Sequence, residues 1–179
     1  LMNVNVHGVV NGVQVFLPRL LAHGDGHIVN TASMAGQFAP PNMSVYNTTK
    51  YAVVGLSETM RVDLAEQGVG VSVLCPGVVR TNIGASGRNR PEALRLPDHT
   101  DELVMGDAAP SDAERAAALQ RIFADALDPQ VVGDMVLQAV LANDPYIFPH
   151  PDTQSAFDGR VAEIHASFER WRKWRAEQG

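Results

Sequence analysis

Two short apolar runs separated by one long helical pattern restrict this chain's fold more than any other feature of its sequence. His27 to Thr31 reads as a buried strand running into a small-residue turn, and Val71 to Leu74 as a second strand that ends at Pro76-Gly77. Between them Val53, Leu56, Met60 and Leu64 recur at helical spacing. They predict a helix from near Asn42, capped after Pro40-Pro41, to about Gln67, with Gly68 and Gly70 ending it. Strand, helix and strand in one sheet imply a right-handed crossover between parallel strands. Ligands of such sheets bind outside the carboxyl ends of the strands. Ser33 and Pro76-Gly77 follow those ends and are expected to meet at one cleft.

The same turn carries candidate chemistry. Ser33 is followed by Tyr46 and then, at i+4, by Lys50. Residues four apart share a helix face, so the ammonium can act on the phenol. Free tyrosine titrates near ~10, and lowering that to ~7 takes roughly 4 kcal/mol of preference for the phenolate. A close cation in a partly desolvated cleft supplies much of this. A tyrosine so tuned is a general acid or base suited to neutral pH, with Ser33 bonding the oxygen on which charge changes.

Composition removes several classes of function. The chain has 179 residues, 45% of them hydrophobic and 19% charged, as in one ordinary globular domain with a real core. Its net charge of −6 argues against a nucleic-acid partner, which needs a basic face. No apolar run approaches the ~20 residues of a membrane span, and no signal-peptide pattern is present. The single cysteine, Cys75, cannot form an internal disulfide and reads as a small buried hydrophobe, consistent with a reducing, cytoplasmic setting.

Elsewhere the apolar spacing of residues 5–22 predicts a helix with a wide buried face, weakened by Gly8, Gly12 and Pro18. His23 to His27 is expected to be a solvated turn rather than a metal site. The stretch 82–128, rich in Gly and Pro, is too long for a simple loop and reads as a lid insertion. Within it Ser111 and Glu114 form a capping box for a helix to about Ala126. Asp128-Pro129 opens a further helix to about Asn143, Tyr146 to Phe148 a short strand, and Asp152 to Glu177 an amphipathic helix. The apolar stripe of that last helix, from Phe157 to Trp174, is expected to pack on the domain or on a partner subunit, and Arg170, Arg172, Lys173 and Arg175 to form a solvated face.

In order and spacing, four pieces resemble the short-chain dehydrogenase/reductase family: N-V-N-V-x-G at 3–8, IVNTAS-x-AG at 28–36, YNTTK at 46–50 and PG-V-V-x-T at 76–81. The resemblance implies an α/β, incomplete Rossmann-like doubly wound parallel sheet made of the later strands and helices only. Residues 1–179 would be a single partial catalytic domain, with 82–128 its substrate lid. It implies catalytic roles for Asn5, which holds a water in a proton relay, and for Ser33, Tyr46 and Lys50. Ser33 and Tyr46 would bind substrate. Thr31, Tyr46, Lys50, Pro76, Gly77, Val79 and Thr81 would bind NAD or NADP. No metal is implied. The reaction would be hydride transfer between a secondary alcohol or carbonyl and the nicotinamide, with helices 5–22 and 42–67 packing against symmetry mates in a homodimer or homotetramer.

The family's glycine-rich phosphate loop, TGxxxGxG, has no match here. The chain therefore reads as the carboxyl-terminal portion of a longer enzyme. Alone, it is expected to bind NAD(H) and NADP(H) weakly or not at all, to lack activity and to aggregate. One alternative is a catalytically inactive fragment or dimerisation module derived from such an enzyme. Another is a serine hydrolase using Ser33 and one of the six histidines, although no GxSxG elbow is present.

Overall fold

The computed structural model describes residues 1–89, 91–94, 120 and 123–179. They form two compact units, Leu1–Pro76 with Gln138–Gly179, and Gly77–Leu137. In the first unit a π-helical turn, Asn3–His7, leads into helix α1, Gly8–His23. The single helix expected over 5–22 therefore begins with a wider turn and then runs on through the exposed Pro18. Strand β1, Gly26–Thr31, is followed by a 3-10 turn, Met34–Gly36, then helix α2, Ser44–Asp63, and strand β2, Val69–Leu74.

Helix α2 is shorter than its apolar pattern predicts at both ends. Asn42 adopts a left-handed φ of 62° and does not cap it. The prolines before it fix extended backbone, and an asparagine tolerates the left-handed turn that follows. Asn47 ties this loop down, its Nδ2 donating to Pro40 O at 2.8 Å. At the other end the helix gives way to turns after Asp63, and Gly68 reverses the chain with φ 72°. Only glycine fits there, because an added Cβ would lie 2.3 Å from Gly24 O.

The sheet is parallel and three-stranded, in the order β1-β2-β3, where β3 is Tyr146–Ile147. β1 pairs with β2 from Gly26↔Val69 to Thr31↔Leu74, and β2 pairs with β3 at Val73↔Tyr146 and Leu74↔Ile147. Helices α1 and α2 supply two apolar clusters to this sheet. One joins Ala32, Val53, Val54, Val73 and Cys75 with Val9, and the other joins Met60, Leu64, Val69 and Val71 with residues of α1 that include Val13 and Leu17. Burying each such side chain contributes roughly 1.5–3 kcal/mol, which is what holds the helices on the strands.

His27 departs from the solvated turn expected of it. It lies in β1, half-buried, with Nε2 2.7 Å from Ser72 Oγ, and Ser72 Oγ donates to Asp144 O at 2.5 Å. The strand begins one residue earlier than its apolar run because parallel pairing with Val69 recruits Gly26.

In the second unit Val79 bridges Leu127, and Asp128 accepts from Gln130 N at 2.9 Å, as its Asp-Pro start predicts, to open helix α3, Pro129–Ala142, whose last five residues belong to the first unit. Short 3-10 segments occupy Asn82–Asn89 and Glu92–Leu94. The capping box at Ser111 and Glu114 lies outside the described residues, as does most of the helix expected after it. The chain closes with a 3-10 turn, Pro151–Thr153, and helix α4, Gln154–Gln178. None of its residues is buried, and Phe168, Trp171 and Trp174 at the far end of its apolar stripe are exposed.

Candidate functional site

The carboxyl ends of β1 and β2 are joined by backbone bonds, Ala32 N to Leu74 O at 2.8 Å and Met34 N to Pro76 O at 3.1 Å. Between them Ser33 takes an extended backbone and caps the 3-10 turn. Its Oγ accepts from Ala35 N at 3.2 Å and lies 3.4 Å from Pro76 O. The turn is pressed against α2 at Gly36, where a Cβ would come within 2.7 Å of Lys50 O. A small residue after the serine thus brings the strand end close to the helix that carries Tyr46 and Lys50.

Lys50 Nζ donates to Thr31 O at 3.2 Å and lies 5.6 Å from the centroid of the Tyr46 ring. Burial pushes the Lys50 pKa down, and Cys75 opposes that shift. The i, i+4 spacing puts the ammonium on the helix face of the phenol, and the Thr31 carbonyl is a partner that the spacing does not predict. Asn5 reaches the same helix by another route. Its Nδ2 donates to Thr49 Oγ1 at 3.1 Å, and Thr49 Oγ1 donates to Tyr46 O at 2.7 Å. Asn5 connects the π-helical turn to the backbone of Tyr46.

Asn5, Thr31, Ser33, Tyr46, Lys50 and Pro76 all belong to the first unit, where bonds link Lys50 to Thr31, Ser33 to Pro76, and Asn5 through Thr49 to the Tyr46 backbone. Gly77, Val79 and Thr81 belong to the second, where Thr81 N donates to Val79 O at 2.8 Å. Two residues enter that the sequence did not single out. Thr49 is fully buried, and Gln37 donates from Nε2 to Cys75 Sγ at 3.5 Å. A hydroxyl just before Lys50, three residues from Tyr46, was the available signal for Thr49. Nothing in the sequence indicated Gln37.

Two other arrangements limit the chemistry. Tyr146 OH donates to Glu58 Oε1 at 2.7 Å, and its pKa is pushed up to about 12 by burial and then by that bond, which keeps it a neutral donor. Among the described residues Ser33 bonds backbone groups and not an imidazole, and the histidine–serine contact is His27 with Ser72, whose proton goes to Asp144 O. A hydrolytic serine–histidine pair is thus not assembled at Ser33. No three His, Cys, Asp or Glu side chains are grouped to hold a metal among the described residues, and no described helix is long and apolar enough to cross a membrane.

A parallel sheet flanked by helices, with a lysine–tyrosine pair past the end of its first strand, defines a Rossmann-like α/β protein. The family model for short chain dehydrogenase matches residues 1–92, and the chain belongs to that family of oxidoreductases. It is 30% identical over 165 residues to the C alpha-dehydrogenase of Sphingobium sp. strain SYK-6, covering 92% of this chain and 51% of that protein. It is 34% identical over 161 residues to the oxidoreductase UcpA of Escherichia coli O157:H7, covering 88% of this chain and 54% of the relative. The crystal structure of a short chain dehydrogenase/reductase from Burkholderia phymatum in complex with NAD superposes with a TM-score of 0.75 at 39% identity, covering 91% of this chain and 57% of that one. The chain spans just over half the length of the curated relatives it matches.

Proposed function

We propose that this protein interconverts a secondary alcohol and a carbonyl by hydride transfer, with NAD or NADP as redox partner and Tyr46 as general acid/base. The observation that carries this reading is the Lys50 ammonium held between Thr31 O and the Tyr46 ring. In the oxidation direction the alcohol O–H proton passes to the Tyr46 oxygen, the carbon loses its hydride and the C=O bond forms. Reduction is the reverse. The dinucleotide supplies the hydride acceptor or donor when bound. Ser33 bonds the reacting oxygen and so holds the substrate within reach of Tyr46.

The donor set at the strand ends suits a nicotinamide ribose. An ammonium has three N–H donors, and Lys50 uses one on Thr31 O, which leaves donors for a diol. A relative of 39% identity was crystallised with NAD, which supports a nicotinamide dinucleotide here. We assign Thr31, Pro76, Gly77, Val79 and Thr81 to its nicotinamide end. Asn5, with its amide nitrogen on Thr49, is left its carbonyl oxygen to hold a water toward Lys50. Residues 1–179 act in this reading as one partial catalytic domain with 82–128 as substrate lid, in a full-length homodimer or homotetramer built on α1 and α2.

The test is Tyr46→Phe in the full-length enzyme. It keeps the ring and removes the proton carrier, so kcat is expected to fall by about 10²-fold or more while the circular dichroism spectrum stays unchanged. A folded variant that keeps more than about a tenth of wild-type turnover would remove Tyr46 from the chemistry.

A further inference from the structure

Helix α4 carries a two-heptad seam. Phe157, Val161, Ile164, Phe168 and Trp171 follow one another at alternating spacings of four and three. Along it Phe168 is 65% exposed, Trp171 61% and the adjacent Trp174 52%, while its first turns meet the first unit through Arg160 over the Tyr51 ring at 5.3 Å. A seam of this length is about 21 Å at ~1.5 Å per residue, which is enough to pair with another helix.

Charge along the seam selects the partner. Asp158 follows Phe157 and Arg172 follows Trp171, so both flank the stripe on the same edge. Arg172 is exposed and its carboxylate contact is Glu169, one turn back on the same helix, which costs little to exchange. The amino-terminal half holds Asp158, Arg160 and Glu163, net −1, and the carboxyl-terminal half Glu169, Arg170, Arg172, Lys173, Arg175 and Glu177, net +2. The helix is therefore complementary to itself when reversed.

We propose that α4 pairs antiparallel with α4 of a second copy of this chain, about a two-fold axis near Ala166. Ile164 then faces the partner's Phe168, Val161 faces the partner's Trp171, and Asp158 meets the partner's Arg172. The partner's Trp174 reaches the rim of an aromatic cleft of about 760 Å³ that Tyr51, Phe148, Phe157 and Arg160 help to line. Two-fold pairing repeats every contact, and opposed helix dipoles favour it. The pairing does not depend on the oxidoreductase reading.

The chain has two tryptophans, Trp171 and Trp174, both on α4, so their fluorescence reports on this seam alone. Diluting the purified protein from about 100 to about 0.1 µM is expected to shift the emission to the red and to raise acrylamide quenching as assemblies dissociate in sedimentation velocity. Ile164→Glu with Phe168→Glu keeps both tryptophans and gives the red, quenchable state at every concentration. Asp158→Arg and Arg172→Asp each weaken association by about tenfold or more, and the two together restore it. Emission that is red at all concentrations overturns the pairing, leaving the basic aromatic helix for a membrane surface or another protein. Blue emission independent of concentration overturns it in favour of cover from the same polypeptide. Failure of the double charge reversal to restore association overturns the antiparallel register.

Discussion

Lys50 shows how one side chain is committed by its surroundings. Its ammonium is half-buried, and desolvation, the first cause of its lowered pKa, destabilises its charged form. The Thr31 carbonyl and the Tyr46 ring face recover part of that cost. His27 is also held below its ordinary value, first by burial and then by the Arg61 guanidinium. It packs against Ser72 and over Gly70, beside Asn143 Oδ1, which accepts from Arg61 Nη1 at 3.0 Å. The consequence for stability has a definite sign. A group with a depressed folded pKa contributes stability above its unfolded value, ~6.5 for imidazole, and loses it as pH falls through the folded value. The urea midpoint is therefore expected to drop as pH falls below about 6.5, and His27→Gln to flatten that part of the profile. An equal slope in both proteins would show that His27 is not the group responsible.

At the scale of elements, the contact between the 3-10 turn and α2 sets the spacing of the candidate site. Gly36 permits it, because a Cβ there would meet Lys50 O at 2.7 Å and Lys50 C at 2.9 Å, both backbone atoms that cannot swing aside. Gly36→Ala is expected to cost about 1–3 kcal/mol and to move Ser33 away from Lys50. Urea unfolding checks the first effect. Turnover, with a loss exceeding what the unfolded fraction explains, checks the second, and an unchanged midpoint would mean that the turn relaxes freely. Strand positions were legible because parallel strands in this sheet are short and apolar. The ends of α2 were not, since Asn42 and Gly68 answer to loop geometry and to the Gly24 carbonyl rather than to helix periodicity.

Across the molecule, large apolar side chains remain exposed on α1, α2 and α4, among them Val15, Phe16, Val62, Phe168 and Trp171. Contiguous faces of this kind mark association surfaces. The protein is expected to sediment as a dimer or tetramer at micromolar concentration. Phe16→Glu is expected to lower the assembly by one step without moving tryptophan emission, because α1 and α4 serve different contacts. Monomer throughout, or a blue-to-red shift in that variant, would contradict this division.

The sequence by itself determined the strand–helix–strand order, the family and the spacing of Ser33, Tyr46 and Lys50. All of these follow from local periodicity and from motifs read along one chain. It also carried the Asp128-Pro129 helix start, a signal complete within three residues. Tertiary structure alone decided what each polar group meets. Thr49 became the link from Asn5 to the Tyr46 backbone, Gln37 the donor to Cys75, and His27 a strand residue bonded to Ser72. Asn5 and Thr49, Gln37 and Cys75, and His27 and Ser72 lie 38 to 45 positions apart and meet only because parallel strands and helices fold them together, and no local pattern encodes which buried donor finds which acceptor.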